Sequence, residues 1–323
     1  MSEDVTILRL DDRERWEAEH RQGGLPSQSW GYAWGLSASG VDPKLTVVRS
    51  KGARMLLPFF ERTFMGTTDI ATIPGLSGAS IEPNSSAPLA LWREFAIEQN
   101  WIAGYIQLAL SVELGQTSSD CEIVAHNAAF LLDLSVPNIL ATFSPNIRRK
   151  LREAESNGVT LVEEPDVLAD SLKHLHPEAM HRLDGSDHFS PETFERWAHD
   201  PTCIGLGACI GDQVHAVHLY RFAGRYAEGH LAATSERGRD LGTWVTWNAI
   251  VRLQQMGAHT LNIGGGVRVG DGLYRFKERF NVAPTPLRSL HQIYDRRRYD
   301  ELCQRAGVLA NDTWFPAYRA KRL

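Results

Sequence analysis

The order of the expected helices and strands most restricts the fold of this chain. Short apolar and β-branched runs alternate with amphipathic helical segments along most of its 323 residues. Residues 203–234 are typical of three successive strands, and residues 242–257 of a helix that ends at a glycine. This alternation predicts an α/β fold (mixed α+β) with mixed sheets, in two similar halves.

The helix expected at residues 144–158 has the clearest end signals. Ser144 suits the N-cap, Pro145 the first helical position and Gly158 the C-terminal stop. A further helical segment around residues 165–182 contains Pro177, where we expect it to break.

A strand that runs into three glycines and a short helix carries the most informative pattern, LNIGGGVRVGDGLYRFKERF at residues 261–280. With Asp271 as N-cap, the helical spacing predicts an apolar stripe of Leu273, Phe276 and Phe280. Lys277 falls at the margin of that stripe. Its ammonium group either reaches water along the side of the helix or points into a cleft.

The same pattern occurs within a longer set of segments: QSWGYAWGLSASG, LLDLSVPNILATFSPNIRRKLREAESNGVTL, GTWVTWNAIVRLQQMGAHTLNIGGG, GLYRFKERFNV and YDRRRYDEL. In this set the sequence resembles the Fem-type (FemABX-like) aminoacyltransferase branch of the GNAT acyltransferase superfamily. The resemblance implies two tandem GNAT-like domains. It places the first at residues 1–140, with residues 295–323 returning to it, and the second at residues 141–294. No long coiled-coil arm of the kind found in some members is recognisable.

The resemblance also implies an acyltransferase that forms an amide bond by direct attack of an acceptor amine. Lys277, next to Phe276, matches the family lysine, whose ammonium group would stabilise the oxyanion of the tetrahedral intermediate. Substrate contacts are expected from the glycine turn and from nearby or N-terminal residues. These are Gly264, Gly265, Gly266, Asp271, Tyr274, Trp30 and Tyr32.

The preferred donor is an aminoacyl-tRNA, and the acceptor a small-molecule or peptide amine. Arg148, Arg149 and Arg152 crowd the start of one helix, where cations oppose the helix dipole. A phosphate-rich partner explains that placement, and so does a solvated face paired with nearby glutamates. No resident cofactor and no metal ion is expected.

Acyl-coenzyme A is the alternative donor. GNAT enzymes grip its pyrophosphate with Q/R-x-x-G-x-G/A before a helix. Arg239 and Gly242 supply part of this motif, but Trp244 occupies its last position. Arg237 and Arg239 remain candidates for an anion site. A non-catalytic binding protein with the same fold is the third possibility.

Weaker candidates lie among the histidines. Residues 174–181 hold three of them, at a spacing that matches no zinc motif. His218 with Tyr220, and Glu228 with His230, share faces of expected strands. Residues 183–190, with Asp184, Asp187 and His188, could cover a cleft.

Charge, cysteine content and the N-terminal sequence indicate the cellular location to expect. The formal charge is −5, which gives no global basic field for nucleic acid. The four cysteines are scattered, no apolar run reaches 18 residues, and the N-terminus lacks a signal-peptide pattern. The cytoplasm is the expected location.

Overall fold

The computed structural model describes residues 3–114, 120–182, 189–266, 268–310 and 314–320. Within them the chain forms two compact units. The first contains residues 1–24, 42–126 and 286–323, and the second residues 25–41 and 127–285. The expected boundaries at 140 and 294 differ from this division. Residues 25–41 and 127–140 pack in the second unit, and the strand that begins at Pro284 carries the chain back to the first.

The sheet of the first unit is a meander completed by one parallel strand. Neighbouring strands are antiparallel in the order β1-β2-β3-β4, then β4 pairs parallel with β6, and β6 antiparallel with β13. The short strand β5 pairs with β3. The bounds are β1 Asp4–Leu8, β2 Lys44–Ser50, β3 Ala53–Phe64, β4 Thr67–Thr72, β5 Ser80–Glu82, β6 Ala103–Gln107 and β13 Pro284–Ile293.

Three α-helices of the described residues belong to the first unit. They are α1 Arg13–His20, α3 Ala87–Glu98 and α10 Arg296–Ala306. Trp92 of α3 is fully buried and lies edge-on to Phe59 of β3, with ring centroids 5.5 Å apart. Burial of two large aromatic rings is a major stabilising contribution to this core.

The second unit repeats the same sheet pattern. Its strands follow the order β8-β9-β10-β11-β12-β7; β11 and β12 are parallel and the other neighbours antiparallel. The bounds are β7 Cys121–Asp133, whose last seven residues belong to this unit, β8 Thr160–Val162, β9 Cys203–Ile210, β10 Gln213–Ala223, β11 Tyr226–Thr234 and β12 Thr260–Asn262.

The helices of the second unit lie on both faces of its sheet. Their bounds are α2 Trp30–Ser37, α4 Ile139–Thr142, α5 Pro145–Ser156, α6 Pro165–Arg182, α7 Pro191–Ala198, α8 Leu241–Gln255 and α9 Gly272–Glu278. Helix α8 carries the chain from β11 to the parallel strand β12, as a crossover between parallel strands must. Its buried residues join those of α5 and of strands β7, β9 and β10 in one apolar core.

One local expectation is wrong, and a second is confirmed in position but not in its hydrogen bond. Pro177 lies inside α6 without ending it. Ser144 is the N-cap residue of α5, as expected, but its hydroxyl makes no capping hydrogen bond, and the oxygen is buried without a partner among the described residues. Pro145 does begin the helix. The mixed α/β architecture in two similar halves is confirmed.

Candidate active site

The candidate site is centred where strand β11 and the chain that follows β12 separate from each other. The parallel pairing of the two strands ends where Glu228 lies opposite Asn262. Beyond this point the chain stays with β7, because Ile263 donates to the Phe130 carbonyl at 3.0 Å and Gly264 accepts from the Phe130 amide at 3.1 Å. Strand β11 instead continues alongside β10 to Thr234. The two neighbours therefore diverge.

Three different constraints require the glycines at residues 264–266. Gly264 has a φ of 67°, in the left-handed region that side chains disfavour. A Cβ on Gly265 would lie 1.8 Å from the Ala128 carbonyl oxygen, and one on Gly266 would lie 2.2 Å from Asp271 Oδ1. The turn thus presses against β7 and against the start of α9. The sequence indicated a need for glycine here but not these contacts.

Asp271 holds the start of α9 in place. Its Oδ1 accepts the Tyr274 amide at 2.7 Å, as expected for an N-cap, and its Oδ2 accepts the Arg268 amide at 2.8 Å. The expected apolar stripe is partly wrong: Leu273 is 43% exposed, and Tyr274 is buried in its place against Phe130, with ring centroids 5.0 Å apart. The capped turn aims Tyr274 at β7, which rotates Leu273 towards solvent.

Lys277 lies on the inner side of α9 and returns to the glycine turn. Its Nζ donates to the Gly265 carbonyl oxygen at 2.5 Å. Burial lowers the pKa of Lys277 to about 8, against a smaller opposing effect of the Asp271 carboxylate. No carboxylate of the described residues forms an ion pair with Lys277. Its ammonium group is therefore partly desolvated and held by a neutral oxygen.

Phe276 and Phe280 support the lysine from the same helix. Phe280 is buried, and the partly buried Phe276 meets it edge-on, with ring centroids 5.6 Å apart. Phe280 also packs on Phe143 at 5.1 Å. These contacts fix the orientation of α9 and hence the position of Lys277.

A line of hydrogen bonds joins β10 to the start of α8. His218 Nδ1 lies 3.1 Å from the Tyr220 hydroxyl, which donates to Thr246 Oγ1 at 3.2 Å. Thr246 in turn donates to the Gly242 carbonyl at 2.8 Å. Burial lowers the pKa of His218 to about 4, and the positive charge of Lys277 adds to this effect. The sequence predicted that His218 and Tyr220 share one face of a strand. It could not predict the contact with Thr246, which lies on a helix.

The opposite face of β10 carries a second buried polar group. Arg221 and Asp200 form an ion pair of 2.6 Å between Nη1 and Oδ2, and both residues are buried. The Arg221 guanidinium also lies 4.8 Å from the centre of the Tyr32 ring. His230 approaches Trp197 edge-on at 4.2 Å. Alternation along β10 separates this group from His218 and Tyr220.

Two expected substrate contacts, Trp30 and Tyr32, lie on α2. Tyr32 is fully buried between Arg221, Trp197 and His230, so its ring has no free surface for a substrate. Trp30 stacks on Trp34 of the same helix at 5.6 Å. The helix that carries them packs against α7, which covers the Arg221 face of the sheet. The structure thus gives Tyr32 a packing role.

The three arginines expected to bind tRNA differ in their surroundings. Arg148 donates to the carbonyls of Ala141 and Phe143 at 3.0 and 2.9 Å, and so stabilises the end of α4. Arg149 is exposed and pairs with Glu153 on the same helix. Arg152 is exposed, and its one hydrogen bond within the described residues is long, 3.3 Å from Nε to the Arg148 carbonyl.

The turn before α8 has an exposed basic surface. Arg237 is exposed, and Arg239 pairs with Glu236 at 2.9 Å. Trp244, which interrupts the coenzyme A motif, is buried in the core of the second unit. Its indole therefore does not cover the turn.

The remaining candidates are placed as follows. His174, His176 and His181 lie on α6, where His176 is buried against Phe194. Within the described residues no group of three or more potential ligands could hold a metal ion. Asp184, Asp187 and His188 fall outside the described residues. No helix in the described ranges is long and apolar enough to cross a membrane.

Comparison with solved structures shows the fold. The chain is similar to FemX, with a TM-score of 0.68 and 12% identity over 93% of this chain and 99% of that one. A domain described as the C-terminal domain of a putative lysylphosphatidylglycerol synthetase from Agrobacterium fabrum gives 0.60, with 13% identity over 89% and 93%.

A tandem GNAT protein from the clavulanic acid biosynthesis pathway gives a TM-score of 0.51, with 13% identity over 91% of this chain and 99% of that one. No family model matches the sequence, and no curated protein matches it. The tandem GNAT-like fold that the resemblance implied is confirmed.

Proposed function

We propose that this protein is an acyltransferase that moves an aminoacyl group from aminoacyl-tRNA to an acceptor amine. The observation that carries the proposal is the position of Lys277. Its partly desolvated ammonium group is held at the glycine turn, in the chain that separates from β11 after β12. A fixed cation in a partly dry site stabilises the negative oxygen of an acyl-transfer intermediate.

The reaction follows from this placement. The acceptor nitrogen attacks the carbonyl carbon of the ester that joins the amino acid to the tRNA. The carbonyl oxygen becomes negative and is stabilised by the Lys277 ammonium group. The carbon–oxygen bond of the ester then breaks, the tRNA hydroxyl leaves with a proton, and the new amide remains. No resident cofactor takes part in this scheme.

Two observations favour a tRNA donor. Arg149 and Arg152 place two exposed cations on α5, and Arg237 adds a third at the turn before α8. These residues lie in one unit with Lys277, and cations of this kind bind phosphates. FemX and a putative lysylphosphatidylglycerol synthetase are also among the similar structures. The product for which the second protein is named carries a lysyl group, which is an aminoacyl group. A charged tRNA donor requires the cytoplasm, the location expected from the sequence.

Acyl-coenzyme A is the second candidate donor. Gly242 lies in the first turn of α8, directly after the loop that leaves β11, and Trp244 does not obstruct that turn. The similar tandem GNAT protein is described as a structure without AcCoA, which associates that thioester with this fold. The same lysine would stabilise the same kind of intermediate with a thioester, so the two donors differ in binding rather than in chemistry.

Incubation with a mixture of charged tRNAs and candidate amines tests the proposal. We expect a new amide, detected by mass spectrometry, whose formation stops after RNase treatment and in Lys277→Met. A product that forms only with acyl-coenzyme A and survives RNase would identify the second donor. No product with either donor would indicate a non-catalytic protein with this fold.

A further inference from the structure

The hydrogen bonds around Tyr220 determine where the proton of His218 lies. A hydroxyl group has one hydrogen to donate. Thr246 gives its hydrogen to the Gly242 carbonyl, so its oxygen can only accept from Tyr220. The hydrogen of Tyr220 is thereby used, and the Tyr220 oxygen must accept from His218 Nδ1. His218 therefore carries its hydrogen on Nδ1 and a lone pair on Nε2.

The Nε2 atom of His218 faces the start of α8. In the part of the chain that the structure describes, no group forms a hydrogen bond with this nitrogen. A Cβ on Gly242 would lie 3.5 Å from both Nε2 and Cε1. The missing side chain at Gly242 thus leaves room for a small group against that edge of the buried imidazole, while the ring itself is held by Tyr220.

Lys277 supplies a charged hydrogen-bond donor in the second unit, and His218 supplies a neutral acceptor. The ammonium group of Lys277 is a cationic donor, and it acts electrostatically on His218. The imidazole of His218 is neutral at pH 7, because burial and this nearby charge both lower its pKa. A donor for the carbonyl oxygen and an acceptor for an amine hydrogen are the two groups that aminolysis needs.

Other basic groups of the second unit are less suited to this role. The Asp271 carboxylate accepts the amides of Tyr274 and Arg268. Glu228 is buried and bonded to Ser27. His230 has a buried Nε2 without a partner among the described residues, but it packs against Tyr32 and Trp197 on the other face of the sheet from His218. Burial raises the pKa of Tyr220, so this phenol does not act as a base at neutral pH.

We infer that His218 is a further catalytic residue, whose Nε2 accepts the proton that the attacking amine loses. This inference rests on the proposed acyl transfer. As the carbon–nitrogen bond forms, the amine nitrogen becomes positively charged, and its proton moves to Nε2. The ester carbon–oxygen bond then breaks, and His218 passes the proton to the leaving oxygen. The ring returns to its neutral state, and Tyr220 with Thr246 positions it throughout.

The weak basicity of the ring is compatible with this role. The nitrogen of a tetrahedral intermediate is a much stronger acid than the free ammonium ion, because it is bonded to an oxygen-substituted carbon. A neutral, oriented imidazole can therefore remove its proton. Positioned general bases contribute on the order of 100–10,000-fold to the rate.

Transfer kinetics with the full-length protein test the inference. His218→Ala should lower kcat on the order of 100-fold or more, with little change in KM for the amine. Added imidazole should restore part of the rate, because it can occupy the space of the lost ring. Imidazole should not rescue Lys277→Met. His215→Gln, on the same strand but bonded to Ser235, is the matched control and should retain transfer.

Nitrogen-15 NMR of the histidine rings provides a readout that does not depend on activity. We expect the His218 signal of the Nδ1–H form in the wild type and a loss of this preference in Tyr220→Phe, which cannot accept from Nδ1. A wild-type ring with its hydrogen on Nε2 would overturn the inference.

The two experiments separate this inference from the proposed function. Normal transfer by His218→Ala would refute the role of the histidine and leave the acyltransferase proposal standing. Absence of transfer by the wild type with both charged tRNA and acyl-coenzyme A would overturn the proposed function and the base role together. Loss of kcat with imidazole rescue supports both.

Discussion

The ammonium nitrogen of Lys277 lies 2.5 Å from the carbonyl oxygen of Gly265, the middle residue of three consecutive glycines. Asp271 caps the helix that carries the lysine and also accepts the Arg268 amide from the segment between the glycine turn and that helix. The Lys277 ammonium group is therefore held by a backbone oxygen.

Lys277→Met should remove transfer and leave the fold intact. The methionine keeps most of the apolar stem but not the charge, and loss of one oxyanion donor costs on the order of 100–1000-fold in kcat. Its free energy of unfolding should stay within about 1 kcal/mol of the wild type. Arg275→Met, an exposed change on the same helix, is the control. Near-normal kcat in Lys277→Met would exclude the mechanism.

The pH dependence of transfer distinguishes an ammonium from a neutral amine at residue 277. Burial lowers the pKa of Lys277 to about 8. The charged form is present below that pH and is lost as the pH rises through it, so kcat should fall above pH 8. Titration of kcat between pH 6 and roughly 10 checks this. A kcat that instead rises through pH 8 would contradict the need for the ammonium group.

Gly265→Ala should destabilise the second unit. Its Cβ would lie 1.8 Å from the Ala128 carbonyl oxygen, a backbone atom that cannot move without displacing β7. We expect a loss of about 1–3 kcal/mol in urea unfolding, as for other overpacked sites. Gly272→Ala is the matched control, because nothing lies within 4 Å of its added Cβ and α9 gains helix propensity. Equal stability of the two variants would contradict the described contact.

The exposed arginines of α5 should contribute to tRNA affinity. Arg149→Ala with Arg152→Ala should weaken binding of charged tRNA and reduce the slope of log K against log salt by about 1 for each phosphate that the variant no longer neutralises. Arg148 is left unchanged, since it stabilises the end of α4. Arg297→Ala, at an exposed ion pair in the first unit, is the control. An unchanged salt slope would identify α5 as a solvated face.

The buried pair of Arg221 and Asp200 should be essential for stability. Asp200→Asn leaves the guanidinium charge buried without its counter-ion, which typically costs about 3–5 kcal/mol. Glu192→Gln breaks the exposed pair with Arg196 and should cost at most about 1 kcal/mol. Chemical unfolding measures both. A small effect of Asp200→Asn would show that Arg221 is compensated by other groups.

The sequence predicted the parts of the molecule that depend on local patterns. Helix α5 and the cap at Asp271 follow from spacing within one segment. The spacing left the Lys277 ammonium group between water and a cleft, and only the family resemblance favoured the inward position. Strand β13 was missed, because Pro284 and Pro286 disfavour a strand until β6 provides its partner. Long-range contacts account for the other differences. The contact with Phe130 buries Tyr274 rather than Leu273. Thr246 joins the hydrogen bonds of His218 and Tyr220 only when α8 packs on β10.

The division of the chain also has a consequence for its synthesis. Strand β13, the partner of β6, follows all of the second unit in the sequence. A ribosome therefore completes every segment of the second unit before it makes the strand that covers β6. Until then one edge of the first sheet is open to other strands. The first unit, which contains most of the N-terminal residues, can therefore complete its sheet only after the second unit has been synthesised. A chaperone that protects the open edge of β6 would act before residue 286 is made.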